Sequence, residues 1–457
     1  MSSFSAKLER VRFSPTFAGE SGARAPAPQE KRDDDAFHAG AIDDKLVVKE
    51  QPIADLPAEP AARLDALRRK IAAILTTAPP VRRHFADPSA GDLPFAHLAT
   101  PSGPLYVRTK RLSPAHRVGR ASVTTGKNAS AAMLALLALD PALASIAPER
   151  LLYLDTETTG LSAGAGTVPF LIGLAWFEPD SSMLVMEQLF LRQLGQETPM
   201  LERLAERVAR ASAFVTYNGK SFDLPLLRSR LVLNRLPPLP AIPHLDLVHV
   251  ARRLHKHRVR ELTLGNVESE VLGFQRTADI SGGEVCSRYT HFLRTGDARA
   301  LDAVIDHNEW DVVAMAALAG LYGEPLEGLA PTDWAAVART LRRAGSLDLA
   351  SSVSSQAVAR GVGHDAVRAR GEIAKARGDK AQALADFASL VETVDDAALR
   401  LELAKLYEHH AKEPLRALDM LDRGTGEGDE ASKRRRTRLE KKRDRPSRAT
   451  PSRSKKK

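Results

Sequence analysis

Two carboxylates stand two residues apart in the stretch LYLDTETTG, where an apolar run passes into polar residues. In a strand, residues two apart point to the same face, so Asp155 and Glu157 would present their carboxylates side by side. Two carboxylates this close raise each other's pKa unless a cation lies between them. Ligand sets made only of oxygen favour a hard ion such as Mg²⁺ or Mn²⁺. The same pair would also serve as caps and solvated charge at the end of a strand.

Further acidic groups stand in two later segments. YNGKSFDLPLL leaves an apolar run through Asn218 and Gly219, and then enters a helical pattern that bears Asp223. In HNEWDVVA, His307 and Asp311 lie one helical turn apart, on the same side of a predicted helix and next to its apolar residues. Asp223 alone would be an ordinary first-turn charge at the positive end of a helix. Together, the three segments present four acids and one histidine.

These segments belong to a stretch with the pattern of an α/β domain. Three apolar strands are predicted at RLLYLDTETTG, VPFLIGLAWFE and MLVMEQLFL, followed by an amphipathic helix at ETPMLERLAERVARA and a fourth strand at AFVTYNG. Further helices are predicted over 221–234, 245–257, 261–272 and 298–320. We interpret Asp246 as the start or cap of the second of these helices. This order predicts a mixed sheet covered by helices on both faces.

The chain outside residues 149–325 has three other compositions. Residues 1–95 are predicted to be mostly disordered, with a short helix near 60–76, and residues 96–148 form a leading segment with strands around GPLYVRTKRL. Residues 330–424 are alanine-rich and helical. The near-constant spacing of Ala350, Ala383 and Ala417 resembles tetratricopeptide repeats, which would offer a surface to a protein partner. A plain helical bundle is the alternative.

The net charge of +9 is concentrated at the C-terminus. Residues 431–457 hold 14 Lys or Arg against 2 acids, so the rest of the chain is slightly acidic. We predict a disordered basic tail over 425–457 that binds a polyanion, with a merely solvated terminus as the alternative. The single cysteine, Cys286, excludes a disulfide framework and fits a reducing cytoplasm. No apolar run reaches the ~20 residues of a membrane-spanning helix.

The order D-x-E, N-G-x-x-F-D and H-N-x-x-D resembles the DEDD superfamily of 3′→5′ exonucleases, which have a ribonuclease H-like fold. The resemblance runs from about residue 150 to about 322. It is similar in detail to the YprB-type ribonuclease H-like domain, through HLDLVHVARRL, LTLGNVESEVLGF and DISGGEVCSRYTHFLRTGDARALDAVIDHNEWD. The upstream SGPLYVRTKRLSPAHRVGR is similar to the segment that precedes that domain. The resemblance implies a metal-dependent 3′→5′ exonuclease that acts on single-stranded RNA or DNA.

The resemblance also implies roles for individual residues. Four acids match the ligands of two divalent ions, Mg²⁺ or Mn²⁺: Asp155, Glu157, Asp223 and Asp311. His307 matches the general base, which takes a proton from the attacking water. It combines the four-residue spacing of the family's tyrosine branch with the residue type of the histidine branch. Four residues would contact nucleic acid, with a solvated face as the alternative for the lysine: Thr158, Thr159, Asn218 and Lys220.

Two other functions are compatible with the same residues. One is a non-catalytic scaffold that binds nucleic acid or protein, and the other is an endonuclease that cuts structured RNA. Four acids and a histidine in one set favour the enzyme, because a binding module does not need mutually repelling groups. No motif reports on the 2′-hydroxyl, so RNA and DNA are not separated.

Overall fold

The computed structural model describes residues 93–160, 166–277, 279–324 and 326–444. The helix predicted near 60–76, and the rest of the predicted N-terminal disorder up to residue 92, lie outside the described residues. The last thirteen residues of the chain, 445–457, lie outside them as well.

The described residues contain nine strands: β1 (Ala96–Thr100), β2 (Gly103–Leu112), β3 (Arg117–Val118), β4 (Ala121–Ser122), β5 (Leu151–Thr158), β6 (Pro169–Phe177), β7 (Leu184–Phe190), β8 (Ala213–Thr216) and β9 (His244–Asp246). Seven of them form one sheet in the order β1-β2-β7-β6-β5-β8-β9, and β3 pairs with β4. β5, β8 and β9 are parallel, whereas the neighbours from β1 through to β5 are antiparallel. The sheet is therefore mixed, as predicted.

Helices cover this sheet on both faces. Between residues 93 and 324, the described part of the chain contains seven α-helices: α1 (Ala131–Ala138), α2 (Thr198–Val208), α3 (Asp223–Leu233), α4 (Leu247–His255), α5 (Leu264–Val267), α6 (Gly282–Thr295) and α7 (Asp302–Gly323). On the central strand β5, Tyr153 belongs to the apolar core of one face and Leu154 to the core of the other. A strand buried on both faces is a near-continuous apolar run, and Asp155 is its one partly exposed residue. The predicted ribonuclease H-like architecture is confirmed.

Several element boundaries differ from the predictions. The helix predicted over 245–257 begins only at Leu247, because Asp246 ends the short strand β9 and caps the helix, accepting a hydrogen bond from the Val248 backbone N–H. The segment 261–272 divides into α5 and a π-helical turn, Glu268–Leu272. Helix α6 was not predicted. It begins with two glycines, which have low helix propensity, but a reciprocal capping box between Ser281 and Glu284 starts it.

The leading segment contributes to the same sheet. β2 pairs with β7 from Tyr106–Phe190 to Leu112–Leu184, and β1 pairs with β2 at the sheet edge. The apolar helix α1 places Met133, Leu134 and Leu137 in one of the two cores. Residues 96–148 therefore complete the layers around the α/β part of the chain.

The C-terminal region consists of consecutive packed helices: α8 (Trp334–Arg343), α9 (Leu347–Ala359), α10 (His364–Arg377), α11 (Lys380–Val391), α12 (Ala397–Leu406), α13 (Pro414–Asp422) and α14 (Asp429–Arg443). The alanines singled out from their spacing, Ala350, Ala383 and Ala417, lie on α9, α11 and α13 and are fully buried. Small side chains at these positions allow close approach of neighbouring helices. The likeness to tetratricopeptide repeats stays a prediction.

The expectation of disorder from residue 425 onward is wrong for α14. Its basic residues are held by Glu408, a carboxylate with 0% side-chain exposure that accepts hydrogen bonds from Arg435 and Arg438 and pairs with Lys442. Leu439 is fully buried in the core of the last helices. About half of the predicted tail is therefore helical, and the buried Glu408, which precedes α14 in the chain, neutralises part of its positive charge. Composition alone does not reveal this partner.

Candidate active site

The predicted acids converge at the carboxyl end of the central strand. Asp155 and Glu157 lie on β5, and Asp223 is the first residue of α3, which follows the loop after β8. His307 and Asp311 lie on α7, which packs against β5 and β6. Because β5 and β8 are parallel, their carboxyl ends lie at one edge of the sheet, where open α/β sheets bind ligands. The sheet thus brings all five side chains to one edge.

Asp155 lies in the middle of this cluster. Burial, followed by the charges of Asp311, Glu157 and Asp223, holds the pKa of its carboxyl well above the usual value. Its Oδ2 accepts a hydrogen bond of 2.8 Å from Asn308 Nδ2, which opposes this shift. One amide donor against three nearby acids leaves an excess of negative charge.

Glu157 and Asp223 are more deeply buried, with 8% and 5% of their surfaces exposed. Burial raises the pKa of Glu157 to about 8. Its Oε1 has no hydrogen-bond partner among the described residues. Burial also raises the pKa of Asp223 to about 6, although Oδ1 accepts a short hydrogen bond from the Thr156 hydroxyl. Buried carboxylates with open oxygen lone pairs are groups that a cation would stabilise.

The two ring nitrogens of His307 face different partners: Nε2 faces the acid cluster, and Nδ1 faces Asp279. Its Nε2 lies 3.9 Å from Glu157 Oε1 and 3.6 Å from Asp311 Oδ2, and ligand atoms of these three residues lie within 4.8 Å of one another. Its Nδ1 lies 2.5 Å from Asp279 Oδ1. Burial lowers the pKa of His307, but the charges of Asp311, Glu157 and Asp279 outweigh it and hold the pKa above its ordinary value.

Arg276 provides the positive charge of the site. Its side chain is 5% exposed and donates two hydrogen bonds of 2.6 Å to Glu268, which is fully buried in the π-helical turn after α5. It also pairs with Asp311 and, at 3.3 Å, with Asp279. The guanidinium therefore ties the segment after α5 to α7 at the acid cluster.

Comparison with known proteins agrees with this geometry. The model of the RNase_H superfamily matches residues 152–322. A Bacillus subtilis (strain 168) protein described as uncharacterized protein YprB is 40% identical over 170 residues, which are 37% of this chain and 40% of YprB. Residues 152–322 form a ribonuclease H-like domain of the YprB type. The chain spans less than half the length of this relative, so only the domain is compared. The superfamily match supports a nuclease-type function for residues 152–322.

Asn308 lies inside the motif HNEWD of this ribonuclease H-like domain, but the sequence assigned it no role. It is fully buried, donates to Asp155, and accepts a hydrogen bond of 3.0 Å from Gln188 Nε2. Gly173 on β6 pairs with Asp155 on one side and Gln188 on the other, directly beneath the Asn308 side chain. A polar residue that follows a histidine within a helix was the available signal, but its partners lie on two other strands.

Arg276, Asp279 and Thr156 were also missed. The first two stand in a segment between helices, where charged residues are ordinarily solvated. Thr156 alternates with Asp155 and Glu157 along β5, and its hydroxyl reaches the Asp223 carboxylate on the other side. No local pattern in the sequence distinguishes such residues from surface polar ones.

The predicted nucleic-acid residues surround the two loops of the site. The Thr158 hydroxyl donates to the Gly160 carbonyl, and the Thr159 hydroxyl accepts from the Val168 N–H. The backbone N–H groups of Asn218 and Lys220 both donate to the Asp246 carboxylate, at 2.7 and 3.0 Å. These bonds shape the loops at the mouth of the site, and nucleic-acid contact by the four residues stays a prediction. No helix of the described residues is long and apolar enough to cross a membrane.

Proposed function

We propose that the ribonuclease H-like domain is a metal-dependent 3′→5′ exonuclease that hydrolyses single-stranded nucleic acid. The observation that carries the proposal is a cluster of four acids, of which Glu157 and Asp311 face one ring nitrogen of His307. Glu157 Oε1 lies 3.9 Å from His307 Nε2, and Asp311 Oδ2 lies 3.6 Å from the same nitrogen. A pair of carboxylates alone would not need a base held between them.

The residues present fit divalent cations. Glu157 offers a buried oxygen with no hydrogen-bond partner in the described part of the chain, and the pKa of Asp155 is raised by burial and then by three acidic neighbours. We propose that Asp155, Glu157, Asp223 and Asp311 hold two ions. An all-oxygen set of carboxylates favours Mg²⁺ or Mn²⁺. When bound, such ions would neutralise the charge that develops on the phosphate oxygens.

His307 would act as the general base through Nε2. The His307 Nδ1 lies 3.3 Å from Arg276 Nη1, a donor, but only 2.5 Å from the Asp279 carboxylate, which accepts only. The shorter contact assigns the Nδ1 proton to the His307–Asp279 bond. Nε2 is then free to accept a proton from the attacking water. Asp279 is in this proposal a positioning residue, which selects the tautomer.

The test of the proposal is hydrolysis of 5′-labelled single-stranded RNA and DNA by the purified full chain with Mn²⁺. We expect ladders that shorten from the 3′ end, and Asp155→Ala should abolish them. Asp306→Ala is the matched control, because Asp306 is an exposed acid next to His307 on α7. Internal cuts from the first time points would instead indicate an endonuclease. Absence of hydrolysis with Mn²⁺ and also with Mg²⁺ would refute the nuclease proposal.

Loss of the base has its own expected magnitude. His307→Ala should lower turnover by roughly 10²–10⁴-fold, the usual effect of removing a positioned acid or base. Mn²⁺ should still raise the melting temperature of this variant, since the four carboxylates remain. His307→Tyr restores the residue that the four-residue spacing accompanies in the tyrosine branch, and activity in this variant would assign that geometry. Full activity of His307→Ala would make the histidine purely structural.

The positioning role of Asp279 is tested without turnover. In the metal-free protein, the ¹⁵N shifts of His307 should report the Nδ1–H tautomer. Asp279→Asn should change the tautomer balance, because a side-chain amide both donates and accepts. An unchanged tautomer would refute the positioning role and leave the metal ligands unaffected.

A further inference from the structure

A basic cleft lies between α4 of the ribonuclease H-like domain and α8, the first helix of the C-terminal region. It encloses about 450 Å³, and its charged or ionisable lining comprises Arg253, Lys256, His257, Arg339, Arg342, Arg343 and Asp365. The two helices are joined at its base by Asp333, a fully buried acid. Arg258 donates two hydrogen bonds of 2.8 and 2.9 Å to Asp333, and His255 Nδ1 lies 3.1 Å from it. The cleft is therefore held by buried ion pairs.

The acids at the cleft pair with Arg339 and Arg342 and leave its other lysine and arginine side chains without a carboxylate partner among the described residues. Asp365 forms a bidentate ion pair with Arg339, and Glu372 forms an ion pair of 3.5 Å with Arg342. Within the described part of the chain, Lys256 and Arg343 have no carboxylate at ion-pair distance. The buried Nε of Arg342 has no hydrogen-bond partner there either. The cleft thus offers positive charge and an unused donor to an anion.

Like charges also crowd each other in this cleft. Burial, together with the nearby charge of Arg343, lowers the pKa of Arg253. Arg253 is itself anchored, because its Nη1 donates to the Leu137 and His249 carbonyls. Arg253 is held in place next to Arg343, which has no carboxylate partner among the described residues. This arrangement is expected where an anionic ligand, and not a protein carboxylate, balances the positive charge.

The basic face continues toward the candidate active site. Residues 247–260, which comprise α4 and the turn after it, contain no acid. Asp246 caps the N-terminus of α4, and its carboxylate accepts hydrogen bonds from the N–H groups of Asn218 and Lys220 in the loop that leads to Asp223. Arg252 on α4 and Lys256, which caps the C-terminus of this helix, are exposed one helical turn apart. At 1.5 Å per residue, Lys256 lies ~15 Å along the helix from that loop.

We propose that the exposed cations at α4 and α8, here called the α4–α8 track and defined by Arg252, Lys256 and Arg343, bind the sugar–phosphate backbone of a nucleic-acid strand whose end enters the active site. This inference rests on the proposed nuclease function. The track has no exposed large apolar side chain, whereas protein interfaces use aromatic or aliphatic anchors. Binding through phosphates alone predicts affinity without sequence preference.

The test is fluorescence anisotropy with fluorescein-labelled 20-nucleotide oligothymidylate and oligouridylate in EDTA. Lys256→Gln/Arg343→Gln removes two cations without changing an ion pair of the described residues. Each phosphate contact on a single strand contributes ~0.7 to the slope of log affinity against log salt. The double variant should therefore lose a slope of about 1.4, and about tenfold in affinity near physiological salt. Arg111→Gln/Arg416→Gln is the matched control, since these arginines are 63% and 67% exposed elsewhere.

The outcomes separate the track from general charge and from catalysis. Loss of affinity in the double variant alone supports the track. An unchanged salt slope, or equal loss in the control, refutes it, and an acidic protein then becomes the partner to seek. Because EDTA removes the metal, the measurement does not depend on hydrolysis. A protein that binds through the track but never cleaves would refute only the nuclease proposal. Melting curves of all variants verify folding, and Lys256→Glu alone is the substitute if the double variant is unstable.

Discussion

Gly173→Ala should disturb the active site by adding a methyl group between the sheet and the helix that carries His307 and Asp311. Gly173 lies on β6, and a Cβ there would stand 2.3 Å from Asn308 Oδ1 and 2.8 Å from Val312 Cγ2. Ordinary contacts begin near 3.4 Å, so the hydrogen-bonded Asn308 side chain, or α7 with it, must move by about 1 Å. The strand backbone itself tolerates alanine, so the cost is steric. The substitution therefore acts on α7, the helix that carries His307 and Asp311.

The magnitude follows from this overlap. Overpacking of a rigid core costs ~1–3 kcal/mol. A domain of this size loses ~2–4 °C in melting temperature for each kcal/mol. A misplacement of about 1 Å lowers turnover by roughly 10²-fold. Gly173→Ala should thus combine a modest loss of stability with a disproportionate loss of hydrolysis.

The assay combines thermal unfolding of the full chain with hydrolysis of a 5′-labelled oligonucleotide. Gly283→Ala is the matched control, because an added Cβ at this helical glycine meets no atom within 4 Å. In a double-mutant cycle, Asn308→Ala should reduce the cost of Gly173→Ala by ~1 kcal/mol or more, since the two groups collide directly. If Gly173→Ala unfolds and cleaves like the Gly283→Ala control, the close approach of α7 to β6 does not exist.

Three further perturbations follow from buried charges. Burial raises the pKa of Glu157 to about 8, so its contribution to the stability of the metal-free protein is present below pH ~4.5 and lost as the pH rises through about 8. Mn²⁺ should therefore raise the melting temperature more at pH 8 than at pH 5, and Glu157→Gln should reduce the difference, of which Asp155 and Asp223 keep a part. Equal shifts in the wild type would contradict the assignment. Arg276→Gln leaves the fully buried Glu268 unpaired and should lower the free energy of unfolding by ~3–5 kcal/mol. Adding Glu268→Gln should restore part of this stability. An unchanged stability of Arg276→Gln would mean that the ion pair is solvated. Removal of residues 445–457 should leave the melting temperature unchanged, whereas removal of 424–457 should lower it because α14 neutralises buried Glu408; identical melting of the two truncations would refute that role.

Local pattern in the sequence predicted the parts of the site that lie within one element. The period of two along β5 brings Asp155 and Glu157 to one face, and the period of the helix brings His307 and Asp311 together. The same periodicity predicted the succession of β5, β6, β7, α2 and β8 and the sheet covered on both faces, which the structure confirms, but it missed β9 and α6. These features depend on neighbours a few residues away, so a window of sequence contains the information.

Tertiary structure alone decided the partners that complete this site. Arg276 reaches Asp311 from 35 positions away, and Gln188 reaches Asn308 from 120 positions away. The folding of α14 likewise depends on a carboxylate buried in an earlier helix. The cost of burying a charge is met by whichever opposite charge the fold brings within hydrogen-bond distance, and that distance is set by sheet order and helix packing. Composition and hydrophobic periodicity describe a single segment. They therefore do not predict which distant segment supplies its counter-charge.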